Sequence, residues 1–88
     1  MAISKPRSHN LKVWPIYYEE IAAGRLPFSI RDNHGRGFQK GDVILFDEWD
    51  PDTKQYTGRT LPPKVITYVE SAWGVQPGHV VLGFGAAS

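Results

Sequence analysis

From Trp14 onward the apolar residues keep a helical spacing. Trp14, Tyr17, Tyr18, Ile21 and Ala22 fall at i, i+3, i+4, i+7 and i+8, and Glu19 and Glu20 lie off that stripe. Pro15 suits a first helical turn, where its missing N–H costs nothing, and Gly24 suits a left-handed cap beyond the last turn. The pattern therefore predicts a helix between Trp14 and Gly24, with Trp14 counted among its core-facing residues. Pro27 cannot continue a helix, and the period then drops to two. Phe28 and Ile30 alternate with Ser29 and Arg31, which predicts a strand with the apolar pair inward and the polar pair outward. His9 to Val13 can form a strand before the helix. Val43-Ile44-Leu45-Phe46 reads as a central strand that continues through Trp49, and Asp50 to Gln55 as a hairpin turn. Tyr56–Leu61, Lys64–Glu70 and His79–Phe84 read as three further strands. Pro62-Pro63 and the loop Ser71 to Gly78 separate them. Five to six short, mostly antiparallel strands with one N-terminal helix indicate the α+β class, in the form of a small β-barrel plugged by the helix.

Composition narrows this picture. Eighty-eight residues allow one modest core. The expected layout is a flexible leader over residues 1–8 and a single domain over residues 9–85. The chain has no cysteine, which removes disulfides and thiolate metal sites. Its N-terminus lacks the apolar run of a signal peptide, and no stretch reaches membrane-spanning length. The expectation is a cytoplasmic monomer with no membrane contact. Net charge is only +1, so cationic weight alone does not make it a nucleic-acid binder. The charge is unevenly placed, however. Seven of the ten Lys and Arg lie in residues 1–42, and five of the nine acids lie in residues 43–88, four of them at Asp47, Glu48, Asp50 and Asp52.

The basic part contains the one stretch that reads as a site, Gly24 to Asp42. It gathers Arg25, Ser29, Arg31, Asp32, His34, Arg36 and Lys40 on connected backbone punctuated by Gly35, Gly37 and Gly41. Such a cluster suits an anionic or polar ligand, a nucleotide or an RNA backbone. Arg31 can grip phosphate with its planar fork or pair with Asp32 or Asp42. Ser29 can bond a ligand, act as a nucleophile, or merely be a polar residue on a strand's outward face. Arg25 and Arg36 can contact phosphate or remain solvated loop charges, and Lys40 faces solvent. Trp73, flanked by small residues in its loop, can stack on a base. His9, His34 and His79 have no metal-ligand spacing, and Asp50 to Thr53 lacks the pattern of a calcium loop, so no metal or cofactor is expected.

Several motifs together carry a resemblance. Gly24…Ser29-Ile30-Arg31, Phe38-Gln39-Lys40-Gly41-Asp42, Glu48-Trp49-Asp50-Pro51-Asp52-Thr53, Tyr56-Thr57-Gly58-Arg59 and Val80-Val81-Leu82-Gly83 occur in this order over residues 9–85. The chain resembles the ASCH branch of the PUA-like superfamily, and more closely a family of small bacterial and phage domains of uncharacterised function. The resemblance implies a PUA-like barrel, a cleft near the helix C-terminus, and RNA or a modified nucleoside as ligand. Some ASCH relatives are amidohydrolases that deacetylate acetylated cytidine, with a lysine two residues after the motif glycine and a threonine three residues later. Here those positions hold Leu26 and Ser29. Leucine cannot take a proton, and a hydroxyl without a neighbouring base is a poor nucleophile. The reading is a non-catalytic module for RNA or a nucleotide-like ligand. A divergent amidohydrolase acting on an acylated nucleoside and a protein-interaction accessory domain are the alternatives.

Overall fold

The computed structural model describes residues 6–32 and 37–86. The elements run β1 (Ser8–Val13), α1 (Pro15–Ala22), β2 (Phe28–Asp32), β3 (Val43–Asp50), β4 (Gln55–Thr60), β5 (Lys64–Glu70) and β6 (His79–Ala86). The strands form one mostly antiparallel sheet in the order β1-β3-β5-β6-β2, with β4 attached to β3. Only β1 and β3 pair in parallel, with Ser8 opposite Val43 through Val13 opposite Glu48. Two strands share one edge of β3: β5 pairs at Val43 and Ile44, and β4 pairs from Asp47 to Asp50. This split, together with bulges between Asp47 and Trp49 and between Ile66 and Tyr68, gives the sheet its curl. The two ends of the sheet are β1 and β2, and no ladder joins them among the described residues.

The core lies inside the curl. Phe46, Ile44, Ile66 and Leu82 are fully buried, with Leu11, Val13, Tyr18, Ile21, Phe38, Leu61, Val80 and Phe84 around them. Phe46 and Phe84 meet with ring centroids 5.1 Å apart. The helix closes as its glycine predicted. Gly24 has φ +78, its N–H donates to the Ile21 carbonyl, and the Arg25 N–H reaches back to Glu20. This six-to-one and five-to-two pair of bonds is a Schellman cap.

Three expectations shift. First, the helix stripe is narrower than its spacing suggested. Tyr18 and Ile21 are buried, whereas Trp14, the N-cap residue, and Tyr17 are each 49% exposed and Ala22 faces solvent. An eight-residue helix offers about two turns, and one residue from each, Tyr18 and Ile21, reaches the core. Second, β2 has the opposite facing. Phe28 and Ile30 are exposed, and Ser29 and Arg31 are half-buried. The pairing with β6 sets this phase: Ser29 lies opposite Leu82 and Arg31 opposite Val80, both buried, so the polar pair shares the inner face. Third, the sheet takes in the end of the expected leader. Ser8 belongs to β1, and the Arg7 backbone is hydrogen-bonded to the Asp42 carboxylate and to the Val43 N–H. Residues 1–5 lie outside the described residues.

Candidate functional site

Where β1 and β2 fail to meet, a cavity of about 460 Å³ opens. Lys12 and Val13 of β1, Trp14, Tyr17 and Ile21 at the helix, Leu26 after it, and Phe28 to Arg31 of β2 form its walls. Its place follows from the chain path. The Schellman cap turns the chain off the helix at Gly24, Leu26 packs against the core, and β2 then runs down the far side of the opening. The helix thus bridges the gap, with its half-exposed aromatic residues facing the space below.

Among the described residues that line this cavity the charged side chains are Arg31 and Lys12, Ser29 adds a hydroxyl, and none is a carboxylate. Arg31 Nε donates to Ser29 Oγ at 2.8 Å, and its guanidinium carbon sits 5.8 Å from the centroid of the buried Phe46 ring. An aromatic face beneath a guanidinium and a hydroxyl beside it fix the fork in direction. Lys12 Nζ lies 4.6 Å from the centre of the Trp49 ring on the neighbouring strand. The cavity therefore combines two cations, a hydroxyl, aromatic edges from Trp14, Tyr17 and Phe28, and an aliphatic floor. Such a lining is chemically matched to a group with a planar or apolar body and an anionic end.

The other expected site residues are distributed as follows. Arg25 is not in the cavity; it is exposed and makes a two-pronged bond to Glu20, at 2.9 and 3.0 Å. Asp32 ends β2 on the exposed side, opposite His79. Trp73 is 91% exposed on the loop between β5 and β6, and is not a cavity residue. His34 and Arg36 lie outside the described residues. Ser29 Oγ accepts from Arg31, and no hydrogen bond joins it to a histidine, lysine or carboxylate among the described residues. A cation donating to a hydroxyl oxygen withdraws electron density and removes no proton, so this contact does not activate Ser29 as a nucleophile.

Two of the quoted motifs have structural roles. In Phe38-Gln39-Lys40-Gly41-Asp42, the Asp42 carboxylate is buried and accepts the N–H groups of Arg7 and Gln39 and the ring Nε2 of buried His9 at 2.8 Å. The His9 ring packs 4.6 Å from Phe38, and Gly41, at φ +96, turns its N–H to the Ile66 carbonyl. Asp42 thereby ties β1, the start of β3 and β5 together. Burial pushes its carboxyl pKa up, but the bonds from His9, Arg7 and Gln39 outweigh it, and the group lies below its usual value. Nothing in the sequence pointed to His9 as its partner, because the two are distant along the chain.

The second motif pair, Glu48-Trp49 and Thr57-Gly58-Arg59, forms an ion network. Buried Glu48 accepts from Arg59 Nε at 2.9 Å, Arg59 Nη2 at 2.7 Å and Thr57 Oγ1 at 2.5 Å. Arg59 also reaches Glu19 of the helix and lies over the Tyr18 ring at 4.3 Å. The Arg59 bond, then that of Thr57, holds the Glu48 carboxyl down to about 2. A depressed carboxyl stabilises the fold fully above its unfolded value near 4.5, and that contribution is lost as pH falls toward 2. We expect the urea midpoint of the wild type to fall between pH 5 and pH 2.5 more steeply than that of Glu48→Gln. Parallel slopes would refute this role for the network.

No helix among the described residues is long and apolar enough to cross a membrane. A protein-family model described as "Domain of unknown function (DUF3850)" matches residues 8–84, from the first residue of β1 into β6. The match takes in the cavity, the Asp42 cluster and the Glu48–Arg59 network. No curated protein matches the chain.

Proposed function

We propose that this chain, which belongs to the DUF3850 family of domains of unknown function, is a non-catalytic binding module for a nucleotide-like ligand or an RNA segment. The ligand occupies the cavity between β1 and β2. The observation that carries the reading is the Arg31 guanidinium, held over Phe46 and beside Ser29 in a cavity whose lining also contains Lys12. Arg31 and Ser29 receive the phosphate or another anionic group, Lys12 adds charge, and Trp14, Tyr17 and Phe28 offer faces and edges to the base. The resemblance to ASCH and PUA-like domains supports the same ligand class. In this reading the sheet is a PUA-like barrel left open at the cavity.

An NMR titration with cytidine 5′-monophosphate tests it. Shifts are expected at Lys12, Ser29 and Arg31, weakening as salt rises. Arg31→Ala is expected to reduce affinity roughly ten- to hundredfold, the range of a lost charge-assisted bond. Spectra unchanged by millimolar ligand would overturn the proposal. Release of cytidine from acetylated cytidine, abolished in Ser29→Ala, would replace it with the amidohydrolase alternative.

A further inference from the structure

The outer face of β2, β6 and β5 carries a second feature. Cross-strand neighbours share a face, and the register places Phe28, Gly83 and Tyr68 in one row and Ile30, Val81 and Glu70 in the next. Val80, Leu82 and Phe84 of β6 are buried, so this row looks outward. Phe28 is 44% exposed and Tyr68 is 60% exposed, with a glycine between them. Gly83 faces the bulge between Ile66 and Tyr68, a place where a strand glycine is common, and it leaves the backbone between the two rings uncovered: a Cβ there would sit 3.4 Å from Tyr68 Cβ and 3.6 Å from Thr67 Oγ1.

The aromatic walls are oriented. Tyr68 OH donates to one oxygen of Glu70 at 2.9 Å, and the other oxygen accepts the Ala72 N–H at 3.0 Å. Glu70 thus fixes both the Tyr68 ring and the start of the next turn. That turn is closed by the Val75 N–H on the Ala72 carbonyl, with Trp73 at φ +55 and Gly74 at φ +86. Two consecutive positive φ values make it a type I′ turn, whose first central position ordinarily favours Asn, Asp or Gly. A tryptophan there is held in an uncommon backbone region with its ring in solvent. Strain at an exposed aromatic residue points to use by a partner.

We propose that a single-stranded nucleic acid crosses edge strand β2, with a phosphate in the cavity against Arg31 and Ser29 and the adjoining base on Gly83 between Phe28 and Tyr68. A further base reaches Trp73. This inference rests on the cavity reading and extends it. It commits to nucleic acid because the aromatic row is continuous with the cationic cavity. Phe28 and Ile30 belong to both: they lie on the outer face and also line the cavity beside Ser29 and Arg31. Cationic and stacking surfaces side by side are what single-strand binding needs. Neighbouring strands lie about 4.8 Å apart, so the Phe28 and Tyr68 backbones are separated by roughly 10 Å. Two stacking contacts need about 7–8 Å, so one planar ring fits between the two side chains when they lean toward Gly83.

The test compares cytidine 5′-monophosphate with a six-nucleotide cytidine RNA, by NMR and fluorescence anisotropy. It uses the wild type, Tyr68→Ala, Trp73→Ala and Gly83→Val, each with its fold checked by its amide spectrum. Tyr68→Ala and Gly83→Val are expected to weaken the hexanucleotide about tenfold, within the range for one lost stack, and to leave the mononucleotide within twofold. Trp73→Ala lowers hexanucleotide affinity alone. If Tyr68→Ala and Trp73→Ala, which remove only exposed rings, bind the hexanucleotide as the wild type does, the stacking surface is refuted and the cavity reading stands. If the wild type binds neither probe, the cavity reading fails and this inference falls with it. Self-association abolished by Tyr68→Ala would make the face a contact between copies, which also overturns the proposal.

Discussion

Phe46→Ala is expected to destabilise the domain by about 3–5 kcal/mol, the range for a buried phenylalanine reduced to alanine. Phe46 is 0% exposed, packs on Phe84 at 5.1 Å, and lies beneath the Arg31 guanidinium. The space left by the ring borders the cavity between β1 and β2, so water gains a route between Arg31 and the core. A chain of this size has only about 5–10 kcal/mol to lose, and the midpoint should drop by more than about 12 °C. Thermal unfolding followed by near-ultraviolet circular dichroism reads this directly. A decrease below about 1.5 kcal/mol would mean that the neighbouring side chains collapse into the space. Phe46→Leu, which keeps most of the volume, should retain the fold while loosening the seat of Arg31. On the proposed binding role, its affinity for cytidine 5′-monophosphate should then fall further than its stability does.

Asp42→Ala is the second large effect, and its origin is polar. The substitution strands the N–H groups of Arg7 and Gln39 and the ring nitrogen of buried His9. Leaving one buried ring donor and two part-buried N–H groups without acceptors costs the desolvation of each, and the sum here is about 3 kcal/mol. Asp42→Asn keeps the shape and one acceptor oxygen and should recover part of that loss. The wild-type Asp42 contribution is present above the unfolded carboxyl value near 3.8, because its folded value is lower, and disappears as pH falls through the folded value. At pH 7 the difference between wild type and Asp42→Ala should therefore be full, and near pH 2 it should shrink. Urea melts at the two pH values check this. Equal differences at both would refute the assignment of the carboxylate as the group responsible.

The two effects show what the sequence could and could not convey. Helix, strands and turns were legible because each rests on local rules: the spacing from Tyr18 to Ile21, the glycine after the helix, the prolines before β2 and β5. The facing of β2 was not. Alternation gives a period and leaves the phase open, and the phase here comes from Leu82 and Val80, half a chain away. Apolar residues outward and polar residues inward are a poor choice for burial alone, so the inversion at Ser29 and Arg31 coincides with the cavity. Ser29 and Arg31 were legible as candidates from their motif, while Lys12 was missed. Its place in the cavity follows from β1 lying at the far end of the sheet, which no local pattern records. His9 was read as a strand residue without a role. Its partner Asp42 stood in a motif that looked like a site and serves instead to fasten the sheet. Arg25, counted with the ligand groups, folds back onto Glu20 through the geometry of the cap between them.

The parallel pairing of β1 with β3 has a consequence for assembly. Arg7 and Asp42 are 35 residues apart, and until the later segment exists β1 has nothing to zip against. On a growing polypeptide the first strand and helix must therefore wait for more than a third of the chain, and closing that long loop slows the search. Conversely, a cut or insertion within the first dozen positions unfastens one whole border of the cavity, while the antiparallel hairpin of β5 and β6 retains its own ladder.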